Sequence, residues 1–265
     1  MRMSNLSTAQ AQFIKLQRRN IYFIRFARIA ALLLFLLLWE LSSRFAWIDS
    51  FIFSSPSQIV QCFWEMLIDG SIFLHIGITL YETLFSFFLV TLLSLLIVVL
   101  LWFSPTLSEI LEPFLVVLNS LPKSALAPLL IVWLGATQTT IIVAGMSVAI
   151  FGCILNLYTS FRSVDEESLK LIYTLGGKKR HALCKIVIPS CIPAIISNMK
   201  VNIGLCLVGV IIGEFLAARN GLGYLIIYSS QVFKLDWLLM SIVLLCMMAM
   251  GLYSIINLLE KKTKK

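Results

Sequence analysis

Long apolar runs separated by short polar stretches dominate the pattern of this chain. Because the hydrocarbon core of a bilayer requires about 20 mostly apolar residues per helix, six segments qualify as membrane spans. They cover approximately residues 29–45, 74–103, 110–134, 139–161, 188–215 and 237–259. Glu40 interrupts the first of them, whereas the second holds no charge after Glu82. The pattern therefore predicts an all-α polytopic membrane protein with about six transmembrane helices.

Composition supports this class and argues against others. Of the 265 residues, 60% are hydrophobic and 13% are charged, and the mean hydropathy is +0.96. A water-soluble domain carries about 25% charged residues, so most of this chain is expected in lipid. The net charge of +8 comes from basic residues clustered between the spans, which does not indicate nucleic-acid binding. No small-residue cleavage site follows the first apolar run, so it is expected to be an uncleaved span.

Basic residues are distributed unequally between the two sides of the predicted membrane domain. Since Lys and Arg are enriched in cytoplasmic loops, both termini and the loop between the fourth and fifth spans are expected in the cytoplasm, which leaves only Arg44, Arg219 and Lys234 outside. The cytoplasmic set is Arg2, Lys15, Arg18, Arg19, Arg25, Arg28, Arg162, Lys170, Lys178, Lys179, Arg180, Lys185, Lys261, Lys262, Lys264 and Lys265. The predicted organisation is a basic segment at 1–28, one transmembrane domain at 29–259 and a basic tail at 260–265.

The outer segment 47–73 carries the signals of a short amphipathic helix. Ser57 is the expected N-cap, and apolar positions recur at helical spacing after it. They are residues 59, 60, 63, 66 and 67. This helix either lies on the outer surface without a specific role or docks a partner.

The cytoplasmic loop after the fourth span is predicted to hold a second, well-capped helix. Ser163 and Glu166 have the spacing of a capping box, and Gly176 is placed to end the helix in the left-handed conformation. The first turn is acidic, as the helix dipole favours. Leu169, Ile172 and Tyr173 share an apolar face, which either docks a partner or packs on the protein's own spans.

Sequence motifs of common enzymes are absent. The chain contains no GxxxxGK[ST], HExxH, GxSxG or CxxC motif, and its two histidines, His75 and His181, are far apart. We therefore expect no catalytic residue, no metal site and no cofactor.

Three ionisable residues within or beside the spans are candidates for function, because charges are costly in the bilayer. Glu82 lies near a span end, where an interfacial position is favoured. Lys200 either snorkels to the interface or pairs within the bundle. For Glu214, a structural role as a hydrogen-bond acceptor is slightly favoured over a role in transport.

A fourth ionisable residue, Lys123, lies in a stretch with two helix-disrupting prolines, Pro122 and Pro128. Broken backbone at membrane depth is tolerated where it is buried in protein or lines a cavity. Asn119, Ser120 and Lys123 are therefore candidates for a translocation path, and Lys200 and Glu214 complete that set.

The loop at 162–189 also resembles the EAA signature of ABC importer permeases, which is EAA, three residues, Gly, nine residues and I-x-L-P. Lys170-Leu171-Ile172 stands in the EAA place, Gly176 follows after three residues, and Ile186-Val187-Ile188-Pro189 follows after nine more. Further stretches between about residues 39 and 240 resemble the nitrate/sulfonate/taurine-type subgroup. They include Trp39-Glu40, Leu121-Pro122-Lys123, Trp133-Leu134-Gly135, Gly213-Glu214-Phe215 and Asn220–Leu225.

The resemblance implies a permease subunit of an ATP-driven importer in the bacterial inner (cytoplasmic) membrane. It implies a coupling helix that docks on a separate P-loop ATPase, a second permease copy as a homodimer, and an extracytoplasmic solute-binding protein. It also implies a small solute of the nitrate, sulfonate, taurine or vitamin-precursor class, with an anion favoured. The coupling residues that it implies are Leu169, Lys170, Leu171, Ile172, Gly176, Gly177, Ile186 and Pro189.

One departure from the family pattern concerns the EAA place itself. Lys170 replaces the Glu, and Leu171 and Ile172 replace the two small alanines. Either the ATPase has a matched groove, which we favour, or the coupling is altered. The alternative function is a channel or secondary transporter without an ATPase, which would usually show inverted repeats or ion-coupling carboxylates at mid-membrane.

Overall fold

The computed structural model describes residues 8–263, and the regular elements in this range are helices. Three basic residues of the predicted cytoplasmic set, Arg2, Lys264 and Lys265, lie outside the described residues. The helices are α1 Thr8–Arg44, α2 Ser50–Phe53, α3 Pro56–Ile68, α4 Ser71–Phe103, α5 Pro105–Ser120, α6 Lys123–Leu134, α7 Gln138–Arg162, α8 Glu166–Thr174, α9 Lys179–Ala182, α10 Ile188–Ala217, α11 Leu222–Gln231 and α12 Leu235–Thr263.

Helix length and composition confirm the all-α membrane class. In the described part of the chain, five helical stretches are long and apolar enough to cross a bilayer. They are Tyr22–Arg44, Ser71–Phe103, Gln138–Arg162, Lys179–Ala217 and Leu235–Lys261. The pair formed by α5 and α6 raises the number to six if it counts as one span.

The predicted third span over 110–134 is divided into two helices. The chain bends by 97° between α5 and α6, and Leu121 and Pro122 at the break both have extended backbone. Proline disfavours the helical conformation of the residue before it, and its own amide cannot donate a hydrogen bond. Pro122 therefore breaks the helix at this point.

The fifth span begins earlier than the sequence indicated. The stretch from Lys179 to Ala217 contains α9, a π-helical turn at Leu183–Val187 and α10. In the π turn the amide of Ile188 donates to the carbonyl of Leu183. Because Pro189 has no amide hydrogen and its ring crowds the carbonyl four residues before it, a locally widened turn accommodates it without ending the helix.

The chain divides into two compact units, Met1–Cys62 and Phe63–Lys265. In the first unit the charge that interrupts the first span has a structural role. The Glu40 carboxylate accepts hydrogen bonds from the Ser57 amide at 3.1 Å and the Ser57 hydroxyl at 2.9 Å, and also pairs with Arg44 at 2.9 Å. Ser57 is thus not the N-cap of α3. Ser55 caps it instead, accepting from the Gln58 amide at 3.3 Å.

The second unit is built around α7, which packs along both α4 and α10. Small residues permit this close approach: a Cβ added to Gly209 on α10 would lie 2.8 Å from the carbonyl oxygen of Ala144 and from Cα of Gly145 on α7. Close packing through small residues is the usual basis of helix association in membranes, where the hydrophobic effect does not drive helices together. The core between these helices is filled by apolar side chains including Val98, Ile154 and Phe161.

Candidate coupling loop and membrane-embedded polar residues

The N-terminus of α8 is capped by Asp165. Its carboxylate accepts hydrogen bonds from the amides of Glu167 at 3.3 Å and Ser168 at 3.0 Å and from the Ser168 hydroxyl at 2.8 Å. Hydrogen bonding from the Ser168 side chain and then from the two amides lowers the pKa of Asp165 below its usual value. The predicted capping box between Ser163 and Glu166 is wrong, because the Ser163 hydroxyl donates back to the carbonyl of Ser160.

The C-terminus of α8 ends in a Schellman motif, as Gly176 predicted. Gly176 has φ +80°, and its amide donates to the carbonyl of Tyr173 at 3.0 Å, while the amide of Gly177 donates to the carbonyl of Ile172 at 2.8 Å. These are the two hydrogen bonds that define the motif. Gly177 is also constrained, since a Cβ there would lie 2.7 Å from the Ile172 carbonyl oxygen. The loop therefore fixes both ends of a nine-residue helix.

The apolar side chains of α8 divide between two faces. Leu169 packs against the core of the bundle, and Ile172 is half-buried. The exposed apolar pair is instead Leu171 at 60% and Leu175, the C-cap residue directly after α8, at 76% exposure. Of the two alternatives for the face of Leu169, Ile172 and Tyr173, packing on the protein's own spans is therefore the one that holds for Leu169. Of those three residues, Tyr173 is the exposed one, at 42%.

Lys170, which stands in the Glu place of the signature, points into solvent. Its ammonium lies 3.4 Å from the carboxylate of Glu166, with both side chains more than 70% exposed. An exposed pair of this kind contributes little to stability. Lys170 thus leaves a positive charge on the same helix that presents Leu171 and Leu175.

The second half of the loop joins α8 to the bundle. The ammonium of Lys179 donates to the carbonyl of Phe103, the last residue of α4, at 3.3 Å. Further along, Ile186 is half-buried and Val187 fully buried beside Pro189. The I-x-L-P part of the signature therefore lies at the start of the fifth span, not in a free loop.

Three of the path candidates lie together at the break between α5 and α6. The ammonium of Lys123 donates to the carbonyls of Leu118 at 2.7 Å and Asn119 at 2.8 Å. It thereby satisfies the free carbonyl oxygens that the end of α5 leaves. Asn119 and Ser120 are exposed, and Lys123 is half-buried.

Lys200 is paired within the bundle. Its ammonium contacts the carboxylate of Glu260 and donates to the amide oxygen of Asn257 at 2.8 Å, so that it joins α10 to α12. Both members of the ion pair are largely buried, with side-chain exposures of 14% and 16%.

Glu214 lies in a buried polar cluster that the sequence only partly indicated. Its carboxylate accepts hydrogen bonds from the Thr79 hydroxyl at 2.6 Å and from the Gly223 amide at 2.6 Å. His75 extends the cluster, since its Nδ1 accepts from the Gly221 amide at 3.0 Å. Glu82, for which the sequence favoured an interfacial position, is fully buried within the protein and lies against Glu214. These residues are far apart in the sequence and meet only because α4 crosses α10. Sequence spacing therefore could not assign Thr79 or His75 to this cluster.

Comparison with known proteins identifies the class to which this architecture belongs. A family model described as "Binding-protein-dependent transport system inner membrane component" matches residues 91–265. The putative aliphatic sulfonates transport permease protein SsuC of Bacillus subtilis is 25% identical over 228 residues, which are 86% of this chain and 83% of that protein. The riboflavin transport system permease protein RibX of Chloroflexus aurantiacus is 27% identical over 230 residues, which are 87% and 86% of the two chains.

A solved structure supports the fold. A chain of the MetNI methionine ABC transporter, in inward-facing conformations, aligns with a TM-score of 0.64 at 14% identity and covers 75% of this chain and 98% of that one. Similarity at this identity shows the fold alone, whereas the family model matches well over half of the sequence. The chain therefore belongs to the binding-protein-dependent transport system inner membrane components, the permeases of ABC transporters.

Proposed function

We propose that this chain is the permease subunit of an ATP-driven importer and that α8 is the helix through which an ATPase acts on it. The carrying observation is the exposed pair Leu171 and Leu175 on a short helix whose two ends are fixed by Asp165 and Gly176. Two large apolar side chains on a polar loop are costly to leave in water. A rigid helix that presents them to a partner is suited to transmitting a force, because it does not unwind under load.

The coupling site that we propose has one face that contacts the ATPase and one face that packs on the bundle. Lys170, Leu171 and Leu175 would contact a groove of the ATPase. Leu169 and Ile172 would carry displacement of the helix into the bundle, because Leu169 packs on the core. Gly176, Gly177, Ile186 and Pro189 would hold the loop in the required shape. ATP hydrolysis would reside in the separate ATPase chain, and this subunit would be non-catalytic.

The membrane orientation that we propose places α8 and both termini in the cytoplasm of a bacterial cell, with the chain in the inner membrane. The positive-inside rule supports it, because Lys178, Lys179, Arg180 and Lys185 all follow α8. The basic segments 1–28 and 260–265 would lie on the same side, and 29–259 would form the permease domain.

For the translocation path, we propose a route beside the break between α5 and α6, completed by a second copy of this chain. Asn119 and Ser120 are exposed there, and Lys123 lies beside them. Lys200 and Glu214, whose charged groups are already held by partners, would support the path indirectly by positioning α10. An extracytoplasmic binding protein would deliver the solute.

The solute class that we propose is small and of the sulfonate, taurine, nitrate or vitamin-precursor type. Its support is the similarity over more than four fifths of the chain to relatives whose names refer to aliphatic sulfonates and riboflavin. The ammonium group of Lys123 near the proposed path favours an anion.

The test is to express the tagged full chain in its native background, extract it gently and identify what co-purifies in stoichiometric amount. A P-loop ATPase at about one copy per permease supports the proposal. The variant Leu171→Asp/Leu175→Asp should lose that ATPase while the permease itself stays folded. Retention of the ATPase by this double variant, or no ATPase with the wild-type chain across several detergents, would contradict the proposal.

A further inference from the structure

Two carboxyl groups meet inside the second unit, where charge is costly. Glu82 on α4 is 0% exposed and Glu214 on α10 is 1% exposed, and the two carboxyl groups are neighbours. Two ionised carboxylates in contact would repel each other strongly where water does not screen them. The pair therefore needs a positive charge, a cation or a proton.

The hydrogen bonds of Glu214 identify it as the acceptor of the pair. The Thr79 hydroxyl donates to one of its oxygens and the Gly223 amide to the other, both at 2.6 Å. Thr79 is itself oriented, because its oxygen accepts from the Leu222 amide at 2.8 Å. A set composed of donors suits a carboxylate, which can only accept.

Glu82 has the opposite environment. Within the part of the chain that the structure describes, no donor reaches either of its carboxyl oxygens, and the polar group against them is the carboxylate of Glu214. A protonated carboxyl has an O–H to donate, so a proton on Glu82 would replace the repulsion with a hydrogen bond. We propose that Glu82 and Glu214 form a buried proton-binding site, in which Glu82 carries the proton and donates it in a hydrogen bond to Glu214.

The other groups around the pair in the described residues do not supply the positive charge that it needs. From α4, His75 uses Nδ1 as an acceptor, and from α11 the Tyr224 ring stacks on the His75 ring. Arg219, after α10, lines the same cavity as Glu82 but is exposed, and the described residues contain no ion pair from it to either carboxyl. The uncharged neighbours from the turn before α7 and from α7 itself are Thr137, Gln138 and Ile141.

The cavity gives the proton a route to the surface. It has a volume of about 200 Å³ and extends from Glu82 to the exposed residues Arg219 and Asn220. The proton would thus connect α4 to α10 through the hydrogen bond from Glu82 to Glu214, and Glu214 is in turn bonded to Gly223 of α11. Its loss would place two negative charges at that junction, so the folded state binds this proton more tightly than the unfolded state does. Stability is then present at low pH and is lost as pH rises.

The experiment measures thermal unfolding of the purified full chain in detergent, from mildly acidic to alkaline pH at constant ionic strength. The wild-type Tm should fall by at least about 3 °C as pH rises from the ordinary glutamate pKa through neutral to alkaline values, because the unfolded chain releases this proton before the folded chain does. Glu82→Gln, whose amide donates at every pH, should remove that part of the decrease. The exposed control Glu109→Gln should keep it. A decrease over this range that is the same in Glu82→Gln as in the wild type would overturn the proposal.

Infrared spectroscopy keeps the proposal testable if Glu82→Gln does not fold. At neutral pH the wild-type chain should show the carbonyl stretching band of a protonated carboxyl, and this band should disappear on the alkaline side. Absence of that band at neutral pH would overturn the proposal. A second result would also overturn the proposal. If the wild-type Tm rises when sodium replaces choline, and the Tm of Glu82→Gln does not, the site holds a metal cation and not a proton. The measurement does not depend on transport, so its failure is distinguishable from failure of the importer function.

Discussion

Lys179 donates a hydrogen bond of 3.3 Å to the carbonyl oxygen of Phe103, 76 residues earlier in the chain. Phe103 is the last residue of α4, where free carbonyl oxygens and the negative end of the helix dipole favour a cation. Lys179 directly follows the loop that ends α8. The contact therefore joins the proposed coupling segment to the end of a long membrane helix.

Removing this contact should weaken coupling without unfolding the protein. Lys179→Met keeps the aliphatic stem but loses the charge, at a cost of about 0.3–1 kcal/mol. We expect the solute taken up per ATP hydrolysed to fall about 2- to 5-fold in proteoliposomes that contain the complete transporter. Lys185→Met, which removes an exposed charge from the same loop, is the matched control. Equal effects of the two variants would show that only the net charge of the loop matters.

The two possible caps of α8 can be separated by mutation. Asp165→Ala should speed amide hydrogen exchange in Glu166–Thr174 roughly five-fold, the factor that loss of one N-cap implies. Ser163→Ala should leave the exchange unchanged, because Ser163 does not contact the amides of the first turn. The opposite ranking would restore the capping box that the sequence predicted.

Acid should loosen α8 through the same residue. Because the hydrogen bonds from Ser168 and Glu167 lower the pKa of Asp165, the cap stabilises the helix fully above the ordinary aspartate pKa. That contribution is lost as pH falls through the lowered value. Exchange in α8, corrected for the intrinsic effect of pH, should accelerate in that acidic range in the wild type. In Asp165→Asn, the corrected exchange rate of α8 should not accelerate in that acidic range. If it accelerates in this variant as much as in the wild type, Asp165 is not the group that responds to acid.

Gly176 should be required for coupling because of its backbone. A β-branched residue at φ +80° is strained by about 1–3 kcal/mol, so Gly176→Val should unwind the end of α8. We expect ATP hydrolysis to continue while uptake falls about ten-fold. Gly176→Asn, which tolerates the left-handed conformation, should retain most of the uptake. Normal uptake by the valine variant would count against the coupling role of this loop.

The crossing of α7 and α10 should be intolerant of larger side chains. Gly209→Leu would force a side chain against the α7 backbone and should lower the Tm by about 5 °C, as overpacking of a core does. Gly204 lies on the same helix, and a Cβ there meets no atom within 4 Å. Gly204→Leu should therefore be nearly neutral, and equal losses for the two variants would show that the crossing is less tight than described.

The sequence predicted what depends on hydropathy and local backbone chemistry. Runs of apolar residues located the membrane helices, and Gly176 ended α8 as expected because only a local conformation was at issue. The prediction from sequence failed where two nearby side chains could each accept hydrogen bonds from the first-turn amides of a helix. Asp165, not Ser163, caps α8, and Ser55, not Ser57, caps α3. In the second case Ser57 donates to Glu40 instead, a contact between residues 17 positions apart that no local rule contains.

The environment of the ionisable residues could not be predicted, because it depends on which helices cross and where. Glu82 and Lys200 each looked compatible with an interfacial position. The crossings of α10 with α4 and α12 bury them, and give Glu82 a carboxyl neighbour and Lys200 an ion-pair partner. The bend at Pro122 was indicated by the two prolines, but its angle follows from packing against α7 and α10.

The proposed docking of an ATPase on α8 can be tested most directly by site-specific photo-crosslinking in the intact membrane. A photoreactive amino acid at Leu175 or Leu171 should produce an adduct that contains a P-loop ATPase, because these side chains are exposed. The same probe at the exposed residue Phe233, between α11 and α12 and on the proposed outer side, should not. An ATPase adduct from both α8 positions and none from Phe233 is the result that this account predicts. An ATPase adduct at Phe233 alone, or no ATPase adduct at either α8 position, would contradict it.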